Sequence, residues 1–368
     1  MKKVVHLTSV HSYTDTRIFI KECQSLVRAG YEVVLIAPHP LEEMKSGVRL
    51  VGVKKARWMP FRLIFTVPQV AIMALKERAQ IYHLHDPELL PVGVLLKIFG
   101  KKVIYDAHED YPQQVVHKSW VPIRCKKIVA ILMRLTEICS VFVLDQVVAA
   151  TPKIAQNFPS HKCVVVRNFP IIEEFTFNKS SDYGSRPNNF SYVGNLTKIR
   201  GCREMCSAIR ILPANINAKL VLAGSFSPPD LIEEVFLGSG KKHIDCRGFV
   251  GRKEVAEILD QSKAGLVVLH PVKNYLESMP VKMFEYMAAG LPVIASDFPE
   301  WVKIIQKHEC GLMVDPMESR EIAKAMQWII EHPKEAEAMG KRGQSAVRKY
   351  YQWKLEEGVL LKVYSVFQ

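Results

Sequence analysis

Two glutamates eight positions apart, Glu277 and Glu285, bracket a run whose residue types could handle an anionic ligand. From Met279 to Ala289 the apolar residues Met283, Phe284, Met287 and Ala288 recur at helical spacing, and Gly290 supplies a terminating glycine. Before it, Gly265 to Leu269 reads as a buried strand and Pro271 to Leu276 as a polar turn; after it, Pro292 to Ala295 reads as a second strand. The helix therefore opens at the carboxyl end of a parallel strand. Unpaired backbone N–H groups and the positive end of the helix dipole favour a phosphate there, beside Ser278, Met279, Pro280 and Val281. The two carboxylates are too far apart for one adjacent helical pair and would grip different parts of a ligand. An amphipathic helix with two solvated glutamates fits the same spacing.

Other segments carry related chemistry. Tyr192 to Gly201, YVGNLTKIRG, follows a strand and opens a helix, a setting suited to a diphosphate, with Arg200 and Lys198 as candidate cations. Tyr105 to Asp110, YDAHED, ends a strand and aims His108 from its carboxyl edge. His83, His85 and Asp86 in YHLHDPELL also end a strand. They suggest metal ligands, but no third nitrogen or thiolate is evident in the sequence, so packing is the expectation and no metal site is assigned. Asp86 is a candidate for an acceptor side, as is Asp15 in the first strand-to-helix loop.

These residues need elements to hold them. Strands are expected at Lys3 to Thr8, Glu32 to Ala37, Val48 to Val53, Ile81 to Leu84, Lys102 to Tyr105 and Gln146 to Ala149, with helices between them. A second alternation takes strands at Phe190 to Val193, Lys219 to Ala223, His243 to Asp245, Gly265 to Leu269, Pro292 to Ala295 and Gly311 to Val314. The α/β pattern thus predicts two doubly wound parallel-sheet domains, as the 368-residue length favours. Their expected extents are 1–170 and 188–350, with a Pro, Ser and Gly-containing linker at 171–187 and a last helical segment at 351–368.

The helix run, P-x-K-x-x-E-Y-M-A-A-G-L-P-V, and its E-x7-E arrangement resemble the retaining, GT-B-fold glycosyltransferases of family 4, the group 1 enzymes that include builders of surface polysaccharides. The resemblance extends over nearly the whole chain. It implies an acceptor-binding first domain, a nucleotide-sugar-binding second domain facing it across a cleft, and a C-terminal helix returning to the first. Arg200 takes the place of the family's lysine, with Gly194 and Gly201 matching, while Asn195 stands where many members have arginine. One cation of the usual pair is then missing, and Lys198 or a basic residue elsewhere must help, or the diphosphate is held with less charge. Glu285 is implied to accept from the ribose hydroxyls, Glu277 from the donor sugar, and backbone around Phe249 and Val250 from the base. His108 matches a histidine contacting the donor sugar, so His108, Glu277 and Arg200 are the implied catalytic set. Transfer with retention, without a metal or other cofactor, from a UDP- or GDP-linked donor to a lipid-linked glycan is the implied function.

Absences narrow the alternatives. There is no G-x-G-x-x-G, no nucleoside-triphosphatase loop, no G-x-S-x-G elbow and no D-x-D pair of the metal-dependent glycosyltransferase fold. A nucleotide-sugar epimerase and a non-catalytic subunit of a transferase complex remain alternatives. Eight cysteines form no C-x-x-C pair and suggest structural thiols in a reducing, cytoplasmic setting. Residues 1–170 hold 24 Lys and Arg against 13 Asp and Glu, and so carry +11 of the net +13. Lys54, Lys55, Arg57, Arg62, Arg124, Lys126 and Lys127 border apolar stretches at Leu63 to Leu75 and Ile128 to Met133, which predicts docking on an anionic membrane surface. No nucleic-acid motif accompanies the charge.

Overall fold

Short apolar runs bounded by turns become the strands of two sheets, each in its own compact unit: Met1–Asn168 with Lys354–Gln368, and Phe169–Trp353. The computed structural model describes residues 2–39, 41–54, 56, 58–117, 126–175, 182–236 and 242–367.

In the first unit the strands are β1 (Lys3–Leu7), β2 (Glu32–Pro38), β3 (Glu43–Lys45), β4 (Val48–Val53), β5 (Ile81–Leu84), β6 (Lys102–Ala107), β7 (Gln146–Ala149) and β8 (Cys163–Val165). Their order is β3-β4-β2-β1-β5-β6-β7-β8, parallel throughout except for β3 against β4. The edge strands β3 and β8 were not expected. Three residues each are too few to show a period, and the EMK of β3 is exposed and polar. In the middle of the sheet Val4, Val5, Leu7, Val34, Ile36 and Leu84 are fully buried, because crossover helices cover both faces. The last helix, Trp353–Ser365, places Tyr364 and Glu356 in this unit. Glu356 accepts from the Arg167 backbone N–H at 2.9 Å, and Glu357 pairs with Arg28 at 2.6 Å.

The second unit has β9 (Asn189–Val193), β10 (Lys219–Ala223), β11 (Ile244–Gly248), β12 (Ala264–Val267), β13 (Val293–Ser296) and β14 (Gly311–Val314), all parallel in the order β11-β10-β9-β12-β13-β14. The adjacent pair β9 and β12 lies where the strand order reverses, and their carboxyl ends open toward the loops carrying Arg200 and Glu277. The stretch 171–187, expected as a linker, contributes buried Ile172, Phe175 and Tyr183 to this unit.

One layer of the first unit departs from ordinary sheet covering. The helix Lys126–Val143 buries Glu137, Ser140 and Val141 and exposes Ile128, Ile131, Leu132, Leu135, Ile138 and Phe142. Glu137 is satisfied by Tyr105 Oη at 3.1 Å, and burial pushes its carboxyl up to about 7 despite that bond. The helix Leu90–Ile98 packs against both this helix and Val67–Glu77, and exposes Leu95 and Ile98. The preceding turns expose Phe61, Ile64 and Phe65. Three neighbouring helices thus present apolar side chains outward. Among the described residues no helix is long and apolar enough to cross a membrane.

Candidate functional site

In the second unit the site is assembled at the end of β9. Tyr286, on the helix Val281–Ala288, packs its ring over Gly265 of β12 and accepts from the Val193 N–H at 2.9 Å, so helix and strand end are tied together. The chain then turns at Gly194, whose φ of +127° is unfavourable for a residue with a Cβ. Asn195 is exposed, and its carbonyl accepts from Arg200 at 3.2 Å and from Tyr192 Oη at 3.1 Å. A short turn, Lys198–Arg200, ends at Gly201. A Cβ there would lie 2.0 Å from the Val268 carbonyl oxygen, so only glycine lets the turn lie against β12. The His270 N–H also holds the turn, donating to the Ile199 carbonyl at 2.9 Å.

Arg200 is half-buried and donates to Tyr275 Oη at 3.3 Å besides the Asn195 carbonyl. Lys198 is turned away and pairs with Glu234 at 3.1 Å. The helix Val281–Ala288 starts at Pro280 without a side-chain cap, leaving first-turn amides without a side-chain partner. Lys282, in that first turn, reaches back over the Tyr192 ring and donates to its hydroxyl at 2.7 Å. This lysine lies within the P-x-K-x-x-E run, where the sequence alone gives it no role.

Glu285 is buried and pairs with Arg252 through Oε1 at 2.8 Å. Arg252 also reaches Glu174 at 2.5 Å and lies over the Phe175 ring. Arg252 was likewise missed, although it directly follows the loop expected to meet a base; its partners are 78 positions away and 33 positions away in sequence. Glu285 was expected to offer both oxygens to a ribose, and one of them carries this ion pair. In that loop Phe249 is 86% exposed and Val250 half-buried. Glu277 follows the short helix Lys273–Leu276 and is half-buried. The Ser278 carbonyl accepts from Trp301 Nε1 at 2.7 Å, which anchors the entry to Met279, Pro280 and Val281.

In the first unit the carboxyl ends of β1, β5 and β6 carry a buried polar network. The in-register pairing of β1 with β5 sets His6 beside His83. This corrects the expectation that nothing supplies a third nitrogen near His83 and His85. His6 Nδ1 lies 2.8 Å from His85 Nε2, and ligand atoms of His6, Glu22, His83 and His85 all lie within 4.8 Å of one another. Strand register, which a sequence scan does not read, brings them together across 77 residues.

The hydrogen bonds give this cluster a direction. Asp106 takes two bonds from Arg17, at 2.8 and 2.9 Å, one from His108 Nε2 at 2.8 Å, and lies 3.3 Å from His85 Nδ1. Burial opposes its charge, but Arg17 and His108 hold its carboxyl well below the usual range. With His85 donating to Asp106, its Nε2 accepts from His6 Nδ1–H, and His6 Nε2 accepts from Tyr364 Oη at 3.2 Å. Tyr364 accepts in turn from His83 Nδ1 at 2.6 Å. Burial lowers the pKa of His6, of His83 and of His85, the last to about 4, so all three are neutral imidazoles. Burial and the adjacent Asp106 push the Glu22 carboxyl up.

His108 is half-buried at the rim of this network, with the His11 ring 5.3 Å from its own. Asp86 is buried and accepts from the Thr8 hydroxyl at 2.8 Å and the Ser9 N–H at 2.7 Å. Asp15 caps the helix beginning at Thr16, accepting from the Arg17 and Ile18 amides. His11 bridges the two carboxylates, 3.5 Å from Asp15 and 3.4 Å from Asp86. Burial disfavours its imidazolium, but the bond to Asp15 and the charge of Asp86 raise it to about 9.

A family model described as glycosyl transferases group 1 matches residues 174–346, the greater part of the second unit. The second unit is thus similar to the group 1 glycosyl transferases, and the chain has the GT-B fold. D-rhamnosyltransferase WbpZ of Pseudomonas aeruginosa is 24% identical over 166 residues, 45% of this chain, and the match spans 42% of that relative's own length. Among solved structures, sucrose-phosphate synthase from Thermosynechococcus elongatus superposes with a TM-score of 0.78 at 17% identity, over 99% of this chain and 98% of the other. HepE of Anabaena, in complex with UDP-glucose, superposes with a TM-score of 0.76 at 12% identity, over 100% of both chains. At these identities the structural likeness speaks for the GT-B fold, and the family match covers the unit that holds Arg200, Glu277 and Glu285.

Proposed function

We propose that the protein is a glycosyltransferase that moves a sugar from a nucleoside diphosphate donor to a hydroxyl of a lipid-linked glycan, with retention at the anomeric carbon. The observation that carries this reading is the meeting of Arg200 with an uncapped helix start at the Gly194 turn, on the same helix as Glu285. Cations and open amides suit a diphosphate, and stabilising its charge as it departs is the largest aid a preorganised site offers to this transfer. Glu285, held by Arg252, has a second oxygen for ribose hydroxyls, and Glu277 stands at the mouth of the helix for the sugar. His108, whose Nε2 is committed to Asp106, is the first unit's candidate for the sugar end. Retention follows from the family relationship by analogy.

Protein cations take the role a divalent ion plays elsewhere, so transfer is expected to survive chelation. Incubation with UDP- and GDP-sugars and a polyprenyl diphosphate-linked glycan, with and without EDTA, tests this; the proton coupling constant of the new anomeric centre reads retention. Activity abolished by EDTA and restored by manganese would overturn the metal-free reading. Donor epimerised without transfer would replace it with the epimerase reading.

A lipid-linked acceptor fits the outward apolar face of the first unit. Ile131, Leu135 and Ile138 recur along one side of their helix, with Lys127 exposed at its start. The basic rim is thinner than the sequence suggested. Arg62 is neutralised by Glu88 at 2.9 Å, while Lys55, Arg57 and Arg124 lie outside the described residues. The apolar face, rather than charge alone, would then supply the affinity for an anionic membrane surface.

A further inference from the structure

We propose that Lys282 is the second cation of the diphosphate site, supplying from the first turn of the helix Val281–Ala288 the charge that Asn195 does not. This rests on the nucleoside diphosphate reading above. The sequence left open whether Lys198, a basic residue elsewhere or no second cation at all completes the site, and the geometry favours a residue elsewhere. Lys198 is spent on Glu234, a carboxylate it shares with Arg203. Lys282 instead converges with Arg200: a Cβ at Gly194 would lie 3.0 Å from Lys282 Nζ and 3.9 Å from Arg200 Nη1. Two cations thus converge on a glycine, a position where the backbone has no side chain and a phosphate could approach it.

Neither cation has an acidic partner. Among the described residues no carboxylate lies within ion-pairing distance of either; Lys282 donates to Tyr192 Oη, and Arg200 to Tyr275 Oη and the Asn195 carbonyl. Two like charges this close, held only by neutral oxygens, repel each other in the empty site, and a dianion removes that cost. The lysine's own protonation reflects the same strain. Burial first, and then Arg200, lower its pKa well below the ordinary range, against a weaker pull from Glu285. The groups facing it are Arg200 beyond β9, Tyr192 on β9 and Glu285 on its own helix. A bound diphosphate favours the ammonium and draws the lysine's pKa back toward its ordinary range.

The test compares wild type, Lys282→Met, Lys282→Arg and the double variant Lys282→Met/Asn195→Arg by calorimetric titration with UDP, GDP, uridine, guanosine and inorganic pyrophosphate. Lys282→Met is expected to lose about tenfold or more in affinity for the nucleoside diphosphate while keeping that for the nucleoside. Lys282→Arg keeps most of the affinity, and Asn195→Arg restores part of it by placing the cation at the family position. Because Lys282→Met removes a poorly solvated charge, the variant should melt no lower than the wild type, which separates lost binding from lost folding. Unchanged diphosphate affinity in Lys282→Met, with Glu285→Ala weakened, would overturn the role of Lys282 and leave the donor site standing. If neither UDP nor GDP binds the wild type, the donor reading falls, and pyrophosphate still decides the cation pair: equal affinity in wild type and Lys282→Met rejects it.

Discussion

The two units handle buried charge in opposite ways. At the strand ends of the first, Arg17 is matched by Asp106, and His11 by Asp15 and Asp86. At the strand ends of the second, Arg200 and Lys282 meet only neutral oxygens. A closed charge network spends its electrostatic energy within the fold and rigidifies it, whereas an open one keeps its field for a ligand. By this criterion the anion site we propose belongs to the second unit, while the first holds groups such as His108 and His11 within a network of matched charges. Glu285 is intermediate, with one oxygen on Arg252.

The contrast is broken most severely at Arg17. Arg17→Met leaves Asp106 buried without its cation, and should cost about 3–5 kcal/mol in urea unfolding. A loss under about 1 kcal/mol would mean that the network is not closed as described. Glu285→Ala should weaken nucleoside diphosphate binding by about tenfold or more, equivalent to about 1.4 kcal/mol, while Arg252 keeps Glu174 as its partner and the fold survives. Unchanged affinity in the folded variant would remove Glu285 from the site.

A smaller effect is expected at His11. Its pKa is raised from 6.5 to about 9, so its stabilising contribution is complete below pH 6.5 and lost as pH rises through 9. The wild type should lose about 1–2 kcal/mol over that window relative to His11→Ala, allowing for the partial exposure of the ring. Parallel stability curves would show that the imidazolium is not held. The smallest effect concerns the outer helices. Co-sedimentation should appear with anionic vesicles, weaken with salt, and drop on Ile131→Asp/Leu135→Asp with the melting temperature unchanged. Binding indifferent to that double substitution would locate the membrane contact elsewhere.

Much of this was legible from residue order. The alternation of strand and helix runs is a local property, and each of the twelve expected strands appears, to within a few residues, in the two sheets. The exceptions, β3 and β8, are three-residue edge strands with no period to read. The glycine-ended helix carrying Glu285 was also legible, because the C′ glycine, the apolar spacing and the flanking strands are all written within 30 positions.

Tertiary structure decided which polar groups find one another. His6 reaches His83 and His85 through the register of β1 on β5, and Tyr364 joins them from the far end of the chain. Arg252 meets Glu285, and Lys282 rather than Lys198 joins Arg200, because the packing of the helix Val281–Ala288 over β9 and β12 turns its first residues toward Gly194. The outward apolar stripe of Lys126–Val143 belongs here too, since the same spacing would serve a helix facing inward. Periodicity depends on neighbours along the chain, and so a sequence carries it alone. The partner of a buried charge depends on strand register and helix rotation, which are settled only when distant segments pack.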